Sequence, residues 1–177
     1  IPLGLLAANA VEWVAHRYVL HGLGRKKSSY WSFHWHEHHR ASRKNDFRDE
    51  HYERPVFEAH SQGKEALALS RGAVALIPLA KRAPYFVGAL WYSAANYYVV
   101  HRKSHLEPEW ARENLPWHYD HHMGPDQDSN WCVTKPWFDE LMGTRKPYVG
   151  TEREASDLER KARRAAKKKA APLPQAA

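Results

Sequence analysis

The sequence is poor in cysteine and in long apolar runs; the first absence excludes two kinds of cysteine site, and the second limits how the chain could cross a membrane. Cys132 is the only cysteine among 177 residues, so the chain can form no internal disulfide and contains no CxxC metal site. No apolar run reaches the roughly 18 uninterrupted residues that indicate a membrane-spanning helix. The length is sufficient for one domain with a buried core.

The sequence also lacks the motifs of nucleic-acid-binding proteins, although its formal net charge is +7. It contains no RNP-like aromatic motif, no zinc-finger spacing and no Gly-rich clamp. Many of the cations lie in residues 153–169, where they alternate with alanines. We therefore expect no nucleic-acid partner, and we favour an anionic membrane surface as the reason for the positive charge.

The first apolar stretch, residues 1–21, predicts the end of a helix. Gly22 and Gly24 follow this stretch and are suited to terminate it. Only about 11 residues precede Glu12, which is too few to cross a bilayer. The chain begins at Ile1 without a methionine, and we expect it to be a truncated form of a longer protein.

Two further apolar stretches, residues 66–80 and 84–100, predict a helical hairpin that turns at Lys81 and Arg82. The tyrosines and tryptophans of the second stretch are typical of a membrane interface. The hairpin either enters the membrane, fully or to a shallow depth, or forms two buried helices of a soluble helical protein.

The C-terminal region differs from the rest in composition. Residues 151–170 predict an exposed charged helix with ion pairs such as Asp157 with Lys161, one turn apart. Residues 171–177 contain two prolines and are expected to be disordered. We therefore divide the chain into a domain of residues 1–150 and a basic helix with a disordered tail, residues 151–177.

Histidine is in excess, with 13 copies. Ten of them, not counting His36, form the spacing of four histidine boxes: HRYVLH at 16–21, HWHEHH at 34–39, HRKSH at 101–105 and HYDHH at 118–122. Residues three or four apart share one helix face, so boxes three and four each point imidazoles in one direction. The spacing of five in box one is about 140° on an α-helix. We therefore predict that His21 lies at a frayed helix end beside Gly22.

Ten imidazoles are too many for one ion. A zinc site takes three or four protein ligands, so the boxes predict two ions with about five imidazoles each and open positions for oxygen. Imidazole suits iron, copper, zinc and nickel alike, so ligand type leaves the metal open. The sequence has no ExxH motif, which excludes the soluble four-helix di-iron proteins.

Three histidines, His36, His51 and His60, lie outside this spacing and are treated as non-ligands. Of these three, His36 lies inside box two.

Carboxylates near the boxes are candidate partners of the imidazoles. A ligating imidazole usually donates its other N–H to a carboxylate or a carbonyl. Glu12 precedes His16 by one turn, and Glu37 and Asp120 lie within boxes two and four. The alternative for all three is ordinary solvated charge.

Five segments resemble the fatty acid hydroxylase and sterol desaturase superfamily, and they occur in that family's order. They are EWVAHRYVLHG, FHWHEHHR, HRKSHLEPEW, LPWHYDHHMG and NWCVTKPWFDELMGT. The resemblance covers roughly residues 8–145, and the first segment is also similar to carotenoid β-ring hydroxylases. Box two reads HxxxHH where many members have HxxHH, so His36 offers an alternative ligand one place out of register.

The resemblance implies an all-α fold in which a membrane-embedded helical domain carries a cytosolic, histidine-rich metal cap. It implies two iron ions, O₂ as co-substrate, a lipid substrate, and electrons from a ferredoxin or a cytochrome b5-like protein with its reductase. No catalytic group beyond the metal site is implied. Carried across by position, the metal ligands are His16, His21, His34, His38, His39, His101, His105, His118, His121 and His122.

Hydroxylation of a lipid chain is the function that the resemblance favours, since the box spacing is more similar to that of fatty acid and carotenoid ring hydroxylases than to that of acyl-CoA desaturases. Carotenoid ring hydroxylation and lipid or sterol desaturation are the alternatives within the family. A membrane metal-binding or transport protein and a metal-dependent hydrolase are the non-redox alternatives. Seven aromatic residues could line an apolar tunnel, or could serve as packing and interface anchors: Trp31, Phe33, Trp35, Trp91, Trp117, Trp131 and Trp137.

Membrane topology restricts the fold further. Boxes one and two must meet boxes three and four on one side of the membrane, so the chain between His39 and His101 crosses twice or not at all. The basic C-terminal residues place the metal site and the tail on the cytoplasmic side. An integral membrane protein is therefore expected.

Overall fold

The computed structural model describes residues 1–170, which form helices and loops without a β-strand. The prediction of an all-helical fold is confirmed. The α-helices are α1 (Pro2–Val14), α2 (Arg40–Lys44), α3 (Ser61–Ala75), α4 (Ile77–Ala80), α5 (Pro84–Leu106), α6 (Pro108–Asn114), α7 (Pro116–Met123), α8 (Trp137–Leu141) and α9 (Glu152–Ala170). Two π-helical segments, π1 (Ala15–Leu23) and π2 (His34–His39), and a 3₁₀ turn at Glu50–Glu53 complete the set.

Helix α1 packs along α5, and the contact depends on a glycine. A Cβ atom at Gly4 would lie 2.7 Å from the Cβ of Ala89 and 3.0 Å from the carbonyl oxygen of Phe86. Only glycine therefore allows the two helices to approach this closely.

The predicted hairpin is formed by α3 and α4 on one side and α5 on the other. Pro78 and Pro84 each stand in the first turn of a helix, where a missing backbone N–H does no harm. The indole Nε1 of Trp91 on α5 donates to the carbonyl oxygen of Ala73 on α3, at 3.0 Å. Within residues 1–170, none of the helices has both the length and the apolar character needed to span a membrane.

The two π-helical segments correct the prediction for box one. The helix does not fray at His21 but continues as π1 to Leu23. A π-helix closes hydrogen bonds five residues apart, so side chains five apart point to the same side. His16 and His21 meet for this reason, and π2 applies the same geometry to His34 and His39.

The C-terminal helix docks on the domain through ion pairs. Arg112 binds Glu154 with two hydrogen bonds of 3.1 and 2.7 Å, and Lys161 pairs with Asp46. The expected pair of Asp157 with Lys161 is not formed, because Asp157 pairs with Arg153 and Arg160 instead. The expectation of disorder concerns residues 171–177, which lie outside the described residues.

Candidate metal centre

The four boxes meet in the middle of the molecule as two groups of buried imidazoles. The A cluster consists of His16, His21, His34, His39 and His121, whose ring nitrogens lie within 4.8 Å of one another. The B cluster contains His38, His101, His105 and His122 on the same criterion. We add His118 to the B cluster because its Nε2 lies 3.0 Å from Nε2 of His105. All ten side chains are buried.

Histidines that are adjacent in sequence belong to different clusters. His38 and His39 follow one another in π2 but belong to the B and A clusters respectively. His121 and His122 on α7 divide in the same way. Neighbours in a helix point about 100° apart, so α7 and π2 both stand between the clusters and contribute to each.

The A cluster is held from outside by the loop of residues 127–131. The imidazole Nδ1 atoms of His16 and His121 donate to the carbonyl oxygens of Trp131 and Ser129, at 2.5 and 2.7 Å. His39 Nδ1 lies 3.1 Å from Oε1 of Gln127. Mostly neutral oxygens therefore orient these rings, because the one carboxylate nearby, Asp128, stands 3.7 Å from His21.

Two carboxylates fix that loop, the buried Asp139 and the half-buried Glu12. Asp139 accepts hydrogen bonds from the backbone N–H groups of Trp131 and Cys132, both at 2.8 Å. Glu12 accepts from the backbone N–H groups of Val133 and Thr134. The loop carbonyls that face the A cluster are positioned in this way.

The B cluster is held by residues 47–65, and carboxylates predominate there. His38 Nδ1 lies 2.8 Å from Oδ2 of Asp49, which is fully buried. His101 Nδ1 lies 2.6 Å from Oε1 of Glu65, and the Tyr52 hydroxyl donates to the other oxygen of Glu65 at 2.6 Å. His105 Nδ1 donates to the carbonyl oxygen of Phe47 at 2.8 Å.

This arrangement leaves Nε2 lone pairs facing one another. The rings of His16, His39 and His121 carry their hydrogen on Nδ1, since each Nδ1 faces an oxygen. Their Nε2 atoms nevertheless lie 3.0–3.1 Å from another imidazole Nε2. Lone pairs at this separation repel unless a cation lies among them, and two nitrogens at right angles about an ion, each about 2.1 Å from it, are about 3.0 Å apart.

Ring nitrogens without a hydrogen-bond partner indicate that the B cluster also fits a metal ion. Among the described residues, nothing hydrogen-bonds to Nε2 of His38, to Nε2 of His101 or to either ring nitrogen of His122. Buried polar atoms without a partner are costly, and a bound ion would satisfy them. Both clusters therefore fit metal ions.

Burial keeps nine of the ten imidazoles neutral, as metal binding requires. It lowers the pKa of His121 to about 4, and charge on neighbouring imidazoles acts in the same direction in most of the rings. Burial is also the largest cause of a lowered pKa at His16, His21, His34, His38, His39, His105, His118 and His122.

The three histidines predicted to be non-ligands lie outside both clusters. His36 is half-buried and lies 3.1 Å from the carbonyl oxygen of Arg25. His51 and His60 stack on one another with ring centroids 5.8 Å apart. His60 donates to the carbonyl oxygen of Pro55, and His51 contacts Asp49.

The three predicted carboxylate partners all have other contacts. Glu12 binds the loop at Val133 and Thr134 rather than an imidazole. Glu37 pairs with Lys64 at 2.6 Å. Asp120 pairs with Arg145 at 2.7 Å and accepts from the N–H of Val149. The sequence reasoning missed the carboxylates that do face imidazoles, because Asp49 and Glu65 are remote in sequence from the rings they contact.

An apolar cavity of about 480 Å³ reaches the clusters from the side of α1, α3 and α5. His16 and His34 line its inner end, together with Tyr52 and Glu65. Its walls are aliphatic and aromatic, and they include Trp31, Phe33 and Trp91 of the seven aromatic residues named above. Trp35, Trp117, Trp131 and Trp137 are not among the lining residues.

The comparisons with known proteins agree with this site. The family model described as fatty acid hydroxylase matches residues 1–144, which include all four boxes. Neither the curated proteins nor the solved structures contain a match to the chain. The family match and the buried histidine clusters indicate a histidine-box metal enzyme of the oxidoreductase class. The chain belongs to the fatty acid hydroxylase family.

Proposed function

We propose that this chain is a non-haem di-iron oxygenase that hydroxylates a lipid chain, with O₂ as co-substrate and electrons from a partner protein. The observation that carries the proposal is the apolar cavity, which ends at His16 and His34 of the A cluster. It offers an apolar substrate a path to the centre.

Family membership and ligand type together favour iron. Zinc has no redox chemistry, whereas a hydroxylase must accept electrons, and imidazole suits iron. When bound, two iron ions would supply the chemistry that activates O₂ for attack on a C–H bond. The A and B clusters would hold one ion each, and the ten imidazoles are the predicted ligands.

The acidic side chains in the cavity lining favour an apolar part of the substrate at the inner end of the cavity. Glu12 and Glu65 both line it, and none of the described lining residues is Lys or Arg. A lipid carboxylate along the cavity wall would therefore lie beside two acidic side chains with no Lys or Arg to pair with it, which is unfavourable. We infer that the lipid enters with a neutral end and keeps any charged group at the mouth.

The cavity wall also keeps solvent from the reacting position. Phe33 and Tyr52 are almost fully buried beside the inner end. Tyr52 donates to Glu65, which in turn holds His101 of the B cluster. The same residues therefore shape the substrate path and orient a predicted ligand.

A membrane-facing surface accounts for the exposed apolar side chains. They are concentrated on α1 and the hairpin, the elements that surround the cavity. They include Leu3, Leu6, Val11, Val14, Leu67, Val74, Ile77, Leu79, Tyr85, Trp91, Tyr92 and Val99. A large exposed apolar patch is typical of a lipid or protein contact. We infer that this face lies in the membrane, with the metal site and the C-terminal region on the cytoplasmic side.

Occlusion of the cavity tests the proposal. Gly72 lines it, and a Cβ atom at this position would meet no atom within 4 Å. We expect Gly72→Phe to lower the rate of lipid hydroxylation about tenfold or more by excluding substrate, with metal content unchanged. Product analysis by mass spectrometry of lipids from cells that express each variant measures this.

Gly88→Phe is the matched control, because Gly88 is also helical and unobstructed but does not line the cavity. Equal activity of the two phenylalanine variants would contradict the assignment of the cavity. A wild-type protein that contains iron but consumes no O₂ with reductant and lipid would contradict the oxygenase itself.

A further inference from the structure

At one position, the side chain of Trp35 lies between the A cluster and the protein surface. The Trp35 ring stacks on His39 with centroids 5.3 Å apart and an interplanar angle of 28°. It also meets the edge of His21, at 5.0 Å. Trp35 is only half-buried. Its indole is therefore in contact with two predicted ligands and is also partly exposed to solvent.

A shallow depression of about 280 Å³ lies over this contact, on residues that do not line the apolar cavity. Its walls are formed by Trp35, His36, His39, Arg40, Arg43 and Gln127. Over the B cluster, by contrast, Phe47 and Tyr52 cover His105 and His101 and are themselves buried. Trp35 therefore offers access to the centre from outside the lipid path.

The rim of the depression is positively charged. The guanidinium of Arg25 lies 4.7 Å from the centroid of the Trp35 ring. Arg43 is fixed by hydrogen bonds to the carbonyl oxygens of His122 and Gly124. Arg40 is exposed and forms no ion pair within residues 1–170. Two acidic residues nearby are already paired, Asp128 with Arg25 and Glu37 with Lys64, both at 2.6 Å.

The geometry points to this surface, residues Arg25, Trp35, His36, Arg40, Arg43 and Gln127, as the docking site of an acidic one-electron carrier protein. The inference rests on the proposed oxygenase function, which requires electrons. In each encounter the reduced carrier loses one electron, which reaches the ion of the A cluster through Trp35 and His39. Opposite charges attract the carrier, and the exposed indole allows its redox centre to approach.

Salt-dependent binding tests the docking site without reliance on turnover. The probe is an acidic [2Fe–2S] ferredoxin, and its dissociation constant for the metal-loaded protein is measured at about 50 mM and about 500 mM salt. We expect Arg40→Glu to weaken binding about tenfold or more at low salt, and the difference to shrink at high salt.

Arg164→Glu on α9 is the control, because Arg164 is also exposed but is remote in sequence from the surface. The inference is overturned if both variants weaken binding equally, if neither does, or if wild-type protein does not bind the carrier. It is also overturned if Arg40→Glu weakens binding to vesicles that contain anionic lipid while carrier binding is unchanged.

Electron transfer is tested separately at Trp35. We expect Trp35→Leu, at carrier concentrations that saturate binding, to be reduced by the carrier about tenfold or more slowly in stopped-flow absorbance, and to lose far less of its rate with the small cation methyl viologen. Equal slowing with both reductants would contradict the role of Trp35. If methyl viologen supports O₂ consumption in wild type but carrier binding does not respond to Arg40, the docking inference alone fails. If no reductant supports O₂ consumption, the proposed function fails.

Discussion

The A and B clusters are built from equal numbers of imidazoles but are held by different chemistry. Neutral carbonyl and amide oxygens of residues 127–131 orient the A cluster. The carboxylates of Asp49 and Glu65 orient two rings of the B cluster. A carboxylate that accepts the imidazole N–H makes that ring a stronger ligand. The two predicted ions should therefore differ in binding strength, with the B ion held more tightly.

The clusters also differ in access. The A cluster contributes the histidines that meet the cavity and lies beneath Trp35 at the surface. The B cluster lies behind Phe47 and Tyr52, which are buried. On the proposed function, substrate and electrons would therefore both approach from the side of the A cluster.

Removal of one ligand from each cluster should have the largest effect. We expect His16→Ala and His101→Ala each to lower hydroxylation by more than about 100-fold, because an open cluster cannot keep its ion. The metal content of each of these two variants should fall from two ions per chain toward one. His60→Ala, which removes a ring outside both clusters, should keep activity and metal. Equal losses in all three variants would contradict the division into ligands and non-ligands.

Altering one hydrogen-bond partner of an imidazole in each cluster tests the difference in ion binding between the clusters. The expected effects are smaller than those of removing a ligand. Asp49→Asn should weaken binding of the B ion about 10–100-fold. Gln127→Leu should weaken the A ion only a few-fold, since carbonyl oxygens still hold His16 and His121. Competition with a chelator of known affinity measures both constants. A larger loss in Gln127→Leu than in Asp49→Asn would reverse the order that we derive.

A lower pH should reduce the stability of the fold through the histidines of both clusters. We expect this to be the smallest of the three effects. The folded protein holds its buried histidines neutral with lowered pKa, whereas the unfolded chain takes up protons below about pH 6.5. The unfolded state then binds more protons, so stability falls as the pH drops through 6.5. We expect the melting temperature to be several degrees lower at pH 5.5 than at pH 7.5. His36→Gln should show the same dependence, and a flat profile in wild type would contradict it.

Much of the site could be predicted from sequence because ligand chemistry is concentrated in short motifs. The boxes identified ten imidazoles, and all ten meet in the structure, with the three outlying histidines apart. The hairpin followed from its apolar stretches and its basic turn. These features depend on residues that are close together in the chain.

The remainder depended on backbone register and long-range contacts. Spacing alone did not reveal that π1 and π2 bring His21 beside His16 and His39 beside His34. Nor did it show that Glu65 would face His101, 36 residues away, while Glu12, one turn from His16, would bind the loop instead. Proximity in sequence was a poor guide to hydrogen-bond partners in a core assembled from four separate segments.

The number and identity of the bound ions test the account most directly. Protein purified from iron-supplied cells should contain two iron atoms per chain by elemental mass spectrometry, one for each cluster. A single zinc per chain, with no iron, would contradict both the two-ion centre and the oxidoreductase chemistry proposed for it.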